Sequence, residues 1–364
     1  MPIISRFLRI FLGLLAAGQL SHAQTVVRYG ADFMAEGVGA EALGMGGAFT
    51  AYSHGVQGVY WNPASTSDID HAEMAYMHAE RFAGLVSLDY GAFAWPVGDR
   101  STVGVAFIRS AINQIPNTLD AWDAERNRPK PLPETYFSTF NAVDAAFLGS
   151  LGWRVSPRWQ LGTTLKMIRR KIGPFAQATG FSVDVGLKYM NGPWRWAAVL
   201  QDATGMWQAW RVNENAFASF EEAFDLRPPE GNTEIVLPVL RMGAVWGRSM
   251  GVGRIDVSVD VGVAFDGQQA WVFHTGPVSY HPSVGFSYAY RDIVFLRSGI
   301  SNIAIDPWTD RLSLSPALGA GVAVKTLHVD YSFGHFSGVA SELGYSHRIS
   351  LRLQFEGNRF SRQR

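Results

Sequence analysis

The chain has no cysteine among its 364 residues. That absence excludes disulfides, thiol nucleophiles, thiolate metal ligands and a lipid-modified N-terminal Cys. Charge is scarce too: Asp, Glu, Lys and Arg make up 17% of the residues, and 31 basic residues balance 31 acidic ones. With no excess of positive charge there is no broad field to draw a polyanion, so no nucleic-acid partner is expected. After the first two dozen residues, charged or polar side chains interrupt every apolar run before the roughly 20 residues that a spanning helix needs. Entry into a membrane is therefore expected through strands. A Pro- or Ser-rich linker that would divide the chain into domains is also missing.

The first residues read as an export signal. Arg6 and Arg9 form a positive flank, Ile10 to Ala17 an apolar run, and Ser21-His22-Ala23 a small-x-small cleavage site, which predicts cleavage after Ala23. Beyond them the composition is apolar and small, with 47% hydrophobic residues, 13% aromatics and 38 Gly. The apolar residues alternate with period two, which places successive side chains on opposite faces of a strand. Ile255, Val257, Val259, Val261, Val263 and Phe265 alternate with Asp256, Ser258, Asp260, Gly262 and Ala264. Phe181, Val183, Val185, Leu187 and Tyr189 do the same, as do Ile349, Leu351, Leu353 and Phe355. The second face is Gly, Ser and Ala with scattered charge, which suits a crowded lumen behind a lipid-facing wall better than a soluble sandwich.

Runs bounded by turn residues number 14, an even count that returns both termini to the same side. Six tight connections, Gly98-Asp99-Arg100, Ser156-Pro157, Asn191-Gly192, Ser249 to Gly251, Arg291-Asp292 and Lys325-Thr326, alternate with longer ones at 111–141, 203–234 and 267–280. Short periplasmic turns and long outer loops are the habit of such barrels. Trp95, Trp153, Trp159, Tyr189, Trp194 and Trp246 fall near strand ends, as interfacial girdles do. The expected fold is all-β: a 14-stranded antiparallel transmembrane barrel in the outer membrane of a Gram-negative bacterium, with outer-membrane lipid around it. Its expected segments are a signal peptide over 1–23, a Gly-rich plug or hatch over 24–70, the barrel over 71–356 and a tail over 357–364.

Gly37 to Ala51 reads G-V-G-A-E-A-L-G-M-G-G-A-F-T-A, and Gly58 to Ala64 reads G-V-Y-W-N-P-A. These two stretches resemble the N-terminal motif of the PorV/PorQ family, which is related to the FadL-like transporters. The resemblance singles out Gly44, Gly46, Gly47, Trp61, Asn62, Pro63 and Ala64 as plug residues. It implies a 14-stranded barrel of type IX protein secretion, with other secretion-system subunits and the C-terminal signal domain of secreted cargo as partners. The chain departs from the family pattern at Glu41, where Arg is common. The alternative that the resemblance leaves open is a FadL-like channel for hydrophobic small molecules.

No enzyme, cofactor or metal is expected. Gly334-His335-Phe336-Ser337-Gly338 has the wrong spacing for a nucleophile elbow. His71, His78, Asp68, Asp70 and Glu73 follow no recognised ligand spacing and read as a solvated rim. Lys166, Lys188, Asp184, Asp256, Asp260, Asp330, His328, Arg348 and Arg352 fall on the polar phase of their strands, where structural ion pairing outweighs a polar conduit. The segment 203–234 carries Trp207, Trp210, Phe217, Phe220 and Phe224, a heavy aromatic load for an outer loop. It is the candidate surface for a partner or ligand, with folding back over the barrel an equal alternative.

Overall fold

The computed structural model describes residues 32–35, 37–82, 84–123, 125–126, 128–217, 231–265, 273–305, 312–335 and 345–355. The predicted signal peptide and tail lie outside them. Fourteen antiparallel staves form one closed barrel. They are β1 (Ala72–Arg81), β2 (Val86–Val97), β3 (Ser101–Asn117), β4 (Ser138–Arg154), β5 (Trp159–Ile172) and β6 (Ala176–Asn191). Next come β7 (Trp194–Gln201 and Met206–Val212) and β8 (Thr233–Val236 and Val239–Met250), each in two pieces. The rest are β9 (Gly253–Ala264), β10 (Val278–Tyr290), β11 (Val294–Ile305), β12 (Leu312–Val324), β13 (Leu327–His335) and β14 (Tyr345–Phe355). A short segment, Phe273–Thr275, flanks β10.

Closure joins β1 to β14 from Ala72↔Phe355 to Glu80↔His347. It is required because a peptide group left unpaired in hydrocarbon costs several kcal/mol, and a closed sheet has no unpaired edge. The alternation sorts as the sequence predicts. Leu165, Phe181, Val259, Leu318 and Ile349 are exposed on the outside, while Lys166, Asp184, Lys188, Asp256, Asp260 and Asp330 are buried inside. All six predicted tight turns separate consecutive staves. At Lys325 (φ 54°) and at Arg291 and Asp292 (φ 52° and 53°) the two-strand reversal takes left-handed backbone without glycine.

The wall departs from the sequence reading at two of the long connections: β3 and β4 run on into 111–141 and are still paired at Asn117↔Ser138. The segment 203–234 is not a continuous loop, because Met206–Val212 and Thr233–Val236 extend β7 and β8 upward and pair with each other. The ladder between β7 and β8 runs to Val239↔Gln201, stops, and resumes at Met206↔Val236. Residues 202–205 and 237–238 fill the gap. Asp202 (φ 51°) and Gly205 (φ 67°) turn the chain there, and Pro238 has no N–H to give to a ladder.

Residues 37–69 fold inside the barrel as short helical turns, among them Ala40–Gly44, Gly58–Trp61 and Pro63–Asp68. The Pro63–Asp68 turn lies against β4, β5 and β6, and Ala40–Gly44 lies against β12 and β13 on the opposite wall. The plug therefore spans the lumen from side to side.

The inside-out pattern predicts a position-dependent cost for charge on the outer wall. Val259→Arg, near mid-membrane on β9, should destabilise the barrel by about 2–4 kcal/mol, and Met250→Arg, at the end of β8, by less than about 1 kcal/mol. Urea titration of each variant folded into lipid vesicles measures both.

Candidate functional site in the plugged lumen

The plug is seated on two flat places in the wall, each made by glycine. Gly152, Gly162 and Gly186 face one another across β4, β5 and β6 in a single register row. Asn62 and Pro63 lie directly on that row: a Cβ at Gly186 would sit 2.9 Å from Pro63 Cδ, and one at Gly152 would sit 2.8 Å from Pro63 O. On the opposite wall Gly44 and Gly46 approach β11 and β12 as closely, since a Cβ at Gly46 (φ 64°) would lie 2.8 Å from Ile300 N. The predicted plug glycines are thus contact surfaces, and Gly47 (φ 73°) is a left-handed turn under the Trp61 ring.

Trp61, Asn62, Pro63 and Ala64 each do a separate task. Trp61 Nε1 donates to Val38 O at 2.9 Å, and its ring meets Phe49 edge-on at 5.6 Å. Asn62 Oδ1 accepts from Ala64 N at 3.1 Å, which caps the turn that Pro63 opens. Asn62 Nδ2 donates to Thr50 O at 3.2 Å and to Leu187 O of the wall at 3.4 Å. The Asn-Pro-Ala motif is therefore a docking device for the plug.

Charge fixes the remainder. Arg297 of β11 donates to Asp330 Oδ1 at 2.6 Å and to Glu41 Oε1 at 2.9 Å, and all three residues are buried. Gln57 Nε2 donates to the other oxygen of Glu41 at 3.0 Å. The departure from the family pattern at Glu41 thus has a counter-charge waiting in the wall. Burial works to raise the Glu41 carboxyl, but Arg297 and the neighbouring His54, Arg352 and Gln57 hold it well below the usual carboxylate range. Burial pushes His54 down to about 4 against the pull of Glu41, so its imidazole is neutral near pH 7. Elsewhere Lys188 Nζ donates to Asp68 Oδ2 and to Ser53 O, both at 2.8 Å, and Thr50 N donates to Asp260 Oδ2 at 2.7 Å.

A second cluster holds the gap in the wall. Lys166 Nζ is 2.7 Å from both Asp184 Oδ1 and Asp202 Oδ1, and Ser182 Oγ donates to Asp202 at 2.5 Å. Beside it lies a cavity of about 120 Å³ lined by Met34, Tyr60, Leu148, Met206, Val236 and Val239, with Lys166, Asp184, Asp202 and Arg241 at its polar end. A larger cavity, about 300 Å³, opens where His54, Asp68, Asp70, His71, Glu73 and Arg352 meet at the turn-side mouth.

The aromatic candidates do not form one surface. Trp207 and Trp210 sit on opposite faces of β7, Trp207 against lipid and Trp210 inward under the Arg170 guanidinium at 5.4 Å. Phe217 packs on Phe175 with ring centroids 5.3 Å apart, and Phe220 and Phe224 lie outside the described residues. The predicted rim cluster is also divided. His78 points outward to Asp89 at 2.8 Å, and Asp68 pairs with Lys188. Among the described residues no group of acidic and His side chains is placed to hold a metal ion. Arg297 was missed in the sequence, although Phe295, Arg297, Gly299 and Ser301 share the inward phase of β11.

A closed lipid-facing barrel whose lumen is filled by its own N-terminal segment defines the class: a plugged outer-membrane β-barrel. Its fold is FadL-like. The chain is similar to a monoaromatic hydrocarbon channel, CymD, with 15% identity, TM-score 0.56, and 88% of this chain and 98% of that one covered. It is also similar to the toluene transporter TbuX of Ralstonia pickettii, at 14% identity, TM-score 0.52 and coverage of 88% and 99%. A third likeness is to the toluene transporter TodX of Pseudomonas putida, at 12% identity, TM-score 0.52 and coverage of 88% and 97%. No family model matches the chain, and no curated protein matches it by sequence.

Two changes test how the plug is held. Arg297→Met removes the ion-pair partner of the buried Glu41 and Asp330 and should cost about 3–5 kcal/mol, part of which Glu41→Gln restores. Gly162→Val drives a side chain into Pro63 and should cost about 1–3 kcal/mol. The midpoint of urea unfolding in detergent measures each.

Proposed function

We propose that the chain is a non-enzymatic outer-membrane channel for small hydrophobic molecules. The observation that carries this reading is the coincident interruption of β7 and β8, with a cavity on its inner side that is apolar at one end and charged at the other. Continuous β-ladder gives a small molecule no way through a barrel wall, whereas here the ladder stops beside a pocket of about 120 Å³. That is the order of size of cavities that take up a benzene ring, about 150 Å³. Met34 and Tyr60 of the plug segment line the same cavity, so a shift of that segment alters its volume. The hydrocarbon channels and toluene transporters of similar fold support the same substrate class.

The secretion role of the PorV/PorQ type draws its sequence support from residues whose work lies inside the barrel. Glycines 44, 46 and 47 and the Asn-Pro-Ala turn dock the plug, a need shared by any barrel plugged in this way. They do not distinguish cargo binding from transport. Secretion-system subunits and cargo domains accordingly enter as outcomes of the test.

Purified barrel in detergent should bind toluene or a short fatty acid, and Met206→Trp together with Val236→Trp should weaken that binding about tenfold by filling the cavity, with the urea midpoint nearly unchanged. Equal binding by wild type and filled variant would overturn the channel reading. So would a pull-down from outer membranes that recovers secreted proteins sharing a C-terminal domain and no hydrophobic ligand.

A further inference from the structure

The outer wall carries a feature unrelated to the lumen. Across β3 to β7 a single register row turns Phe107, Phe147, Met167, Phe181 and Trp207 outward on neighbouring strands. All are exposed. On β5, the rise from Trp159 to Arg169 is about 25 Å at roughly 3.3 Å per residue and a tilt of about 40°, which is the height of the apolar band of such barrels. The aromatic row therefore lies at the outer edge of the hydrocarbon, and the next outward-facing residues stand at headgroup level.

Three cations occupy that level. Arg169 is one step above Met167, and Lys171 one step above Arg169. Lys171 faces Gln177, which in turn faces Arg211 of β7. All three are exposed, and none of their side chains makes a hydrogen bond or ion pair with a described residue. Adjacent strands lie about 4.8 Å apart, so the three charges fall within a patch about 10 Å across. Arg109 shares the row of Arg169 but is 3.7 Å from Asp89, which neutralises it. Among the described residues of β8 to β14, no Lys or Arg faces outward above the band. The positive patch is thus one-sided.

A merely solvated rim would interleave both signs, as β1 to β3 do with His78, Asp89 and Arg109. Cations without a counter-charge among the described residues, directly above an aromatic ledge, fit an occupant with acyl chains below and dense negative charge above. We propose that this face binds the phosphorylated glycolipid of the outer leaflet, lipopolysaccharide. Its acyl chains lie against Phe147, Met167, Phe181 and Trp207, and its phosphates bridge Arg169, Lys171 and Arg211 through charge-assisted hydrogen bonds. The barrel then carries an annular lipid at a fixed azimuth, next to the β7–β8 gap.

The test uses full-length protein in detergent micelles, with diphosphoryl lipid A as the probe. Lipid retained per barrel after gel filtration should fall about a hundredfold when Arg169, Lys171 and Arg211 are all changed to Gln, each cation contributing severalfold near an anionic surface. Arg248→Gln, outward-facing at the opposite end of β8, should retain lipid as wild type does. Dephosphorylated lipid A should bind the wild type about tenfold more weakly. Heat-modifiable migration on gels reports folding, and Lys171→Gln alone, expected to lose severalfold, serves if the triple variant does not fold. Retention of lipid A by the substituted barrel, or equal binding of the dephosphorylated lipid, would overturn the proposal. Displacement of the lipid by millimolar inorganic phosphate would do so as well, because the patch would then be a site for soluble anions.

Discussion

Everything in this structure depends on hydrocarbon's inability to accept or donate a hydrogen bond. Each backbone N–H and C=O in the membrane must find its partner within the sheet, and so the first strand has to meet the last. Pairing of β1 with β14 meets that demand around the ring. Side-chain alternation follows from the same condition, because one face of every strand must be soluble in lipid. The polar remainder is forced inward, where no bulk water solvates it, and it has to be satisfied by the protein itself.

The plug is the main means of satisfaction. Lys188, Asp260, Arg297 and Ser350 all project from the wall into the lumen and find partners on residues 40 to 68. Two kinds of contact divide the work. Glycine rows let backbone lie on backbone, while the ion pairs join charged side chains of plug and wall. A buried pair such as Glu41–Arg297 adds little net stability over an apolar pair of equal volume, but it makes any other seating expensive, since each charge would then be stranded. Specificity of placement is its main contribution.

The barrel was legible in the sequence because lipid imposes a simple rule on it. Period-two patterning from Phe181 to Tyr189 and from Ile255 to Phe265, with tight turns such as Asn191-Gly192, marks staves without knowledge of their neighbours. The upper halves of β7 and β8 were not legible for local reasons. Trp207 and Trp210 put aromatic rings on both faces, which erases the alternation, and the stretch 202–205 and Pro238 break the runs. The seating of the plug was hidden for a different reason. Glycine patterning suggested a compact segment, yet the partner of Asn62 is a row assembled from β4, β5 and β6, and the partner of Glu41 lies 256 residues away. Neither can be read from a window of sequence. The function was legible only as a pair of alternatives, because the recognisable residues serve the plug, which both readings require.

The docking of Ala40 sets a condition on assembly. Its N–H donates to Ser350 Oγ on β14, a contact spanning 310 residues, while the helical turn that carries it also lies against β12 and β13. A segment synthesised early thus completes its contacts only when one synthesised 310 residues later arrives. The contact between Ala40 and Ser350 can form only once β14 is in place. So long a loop closure is slow, and the open sheet exposes unpaired edges meanwhile. Its final stave is where the ring and the plug are both closed, through β1 on one side and Ala40 on the other.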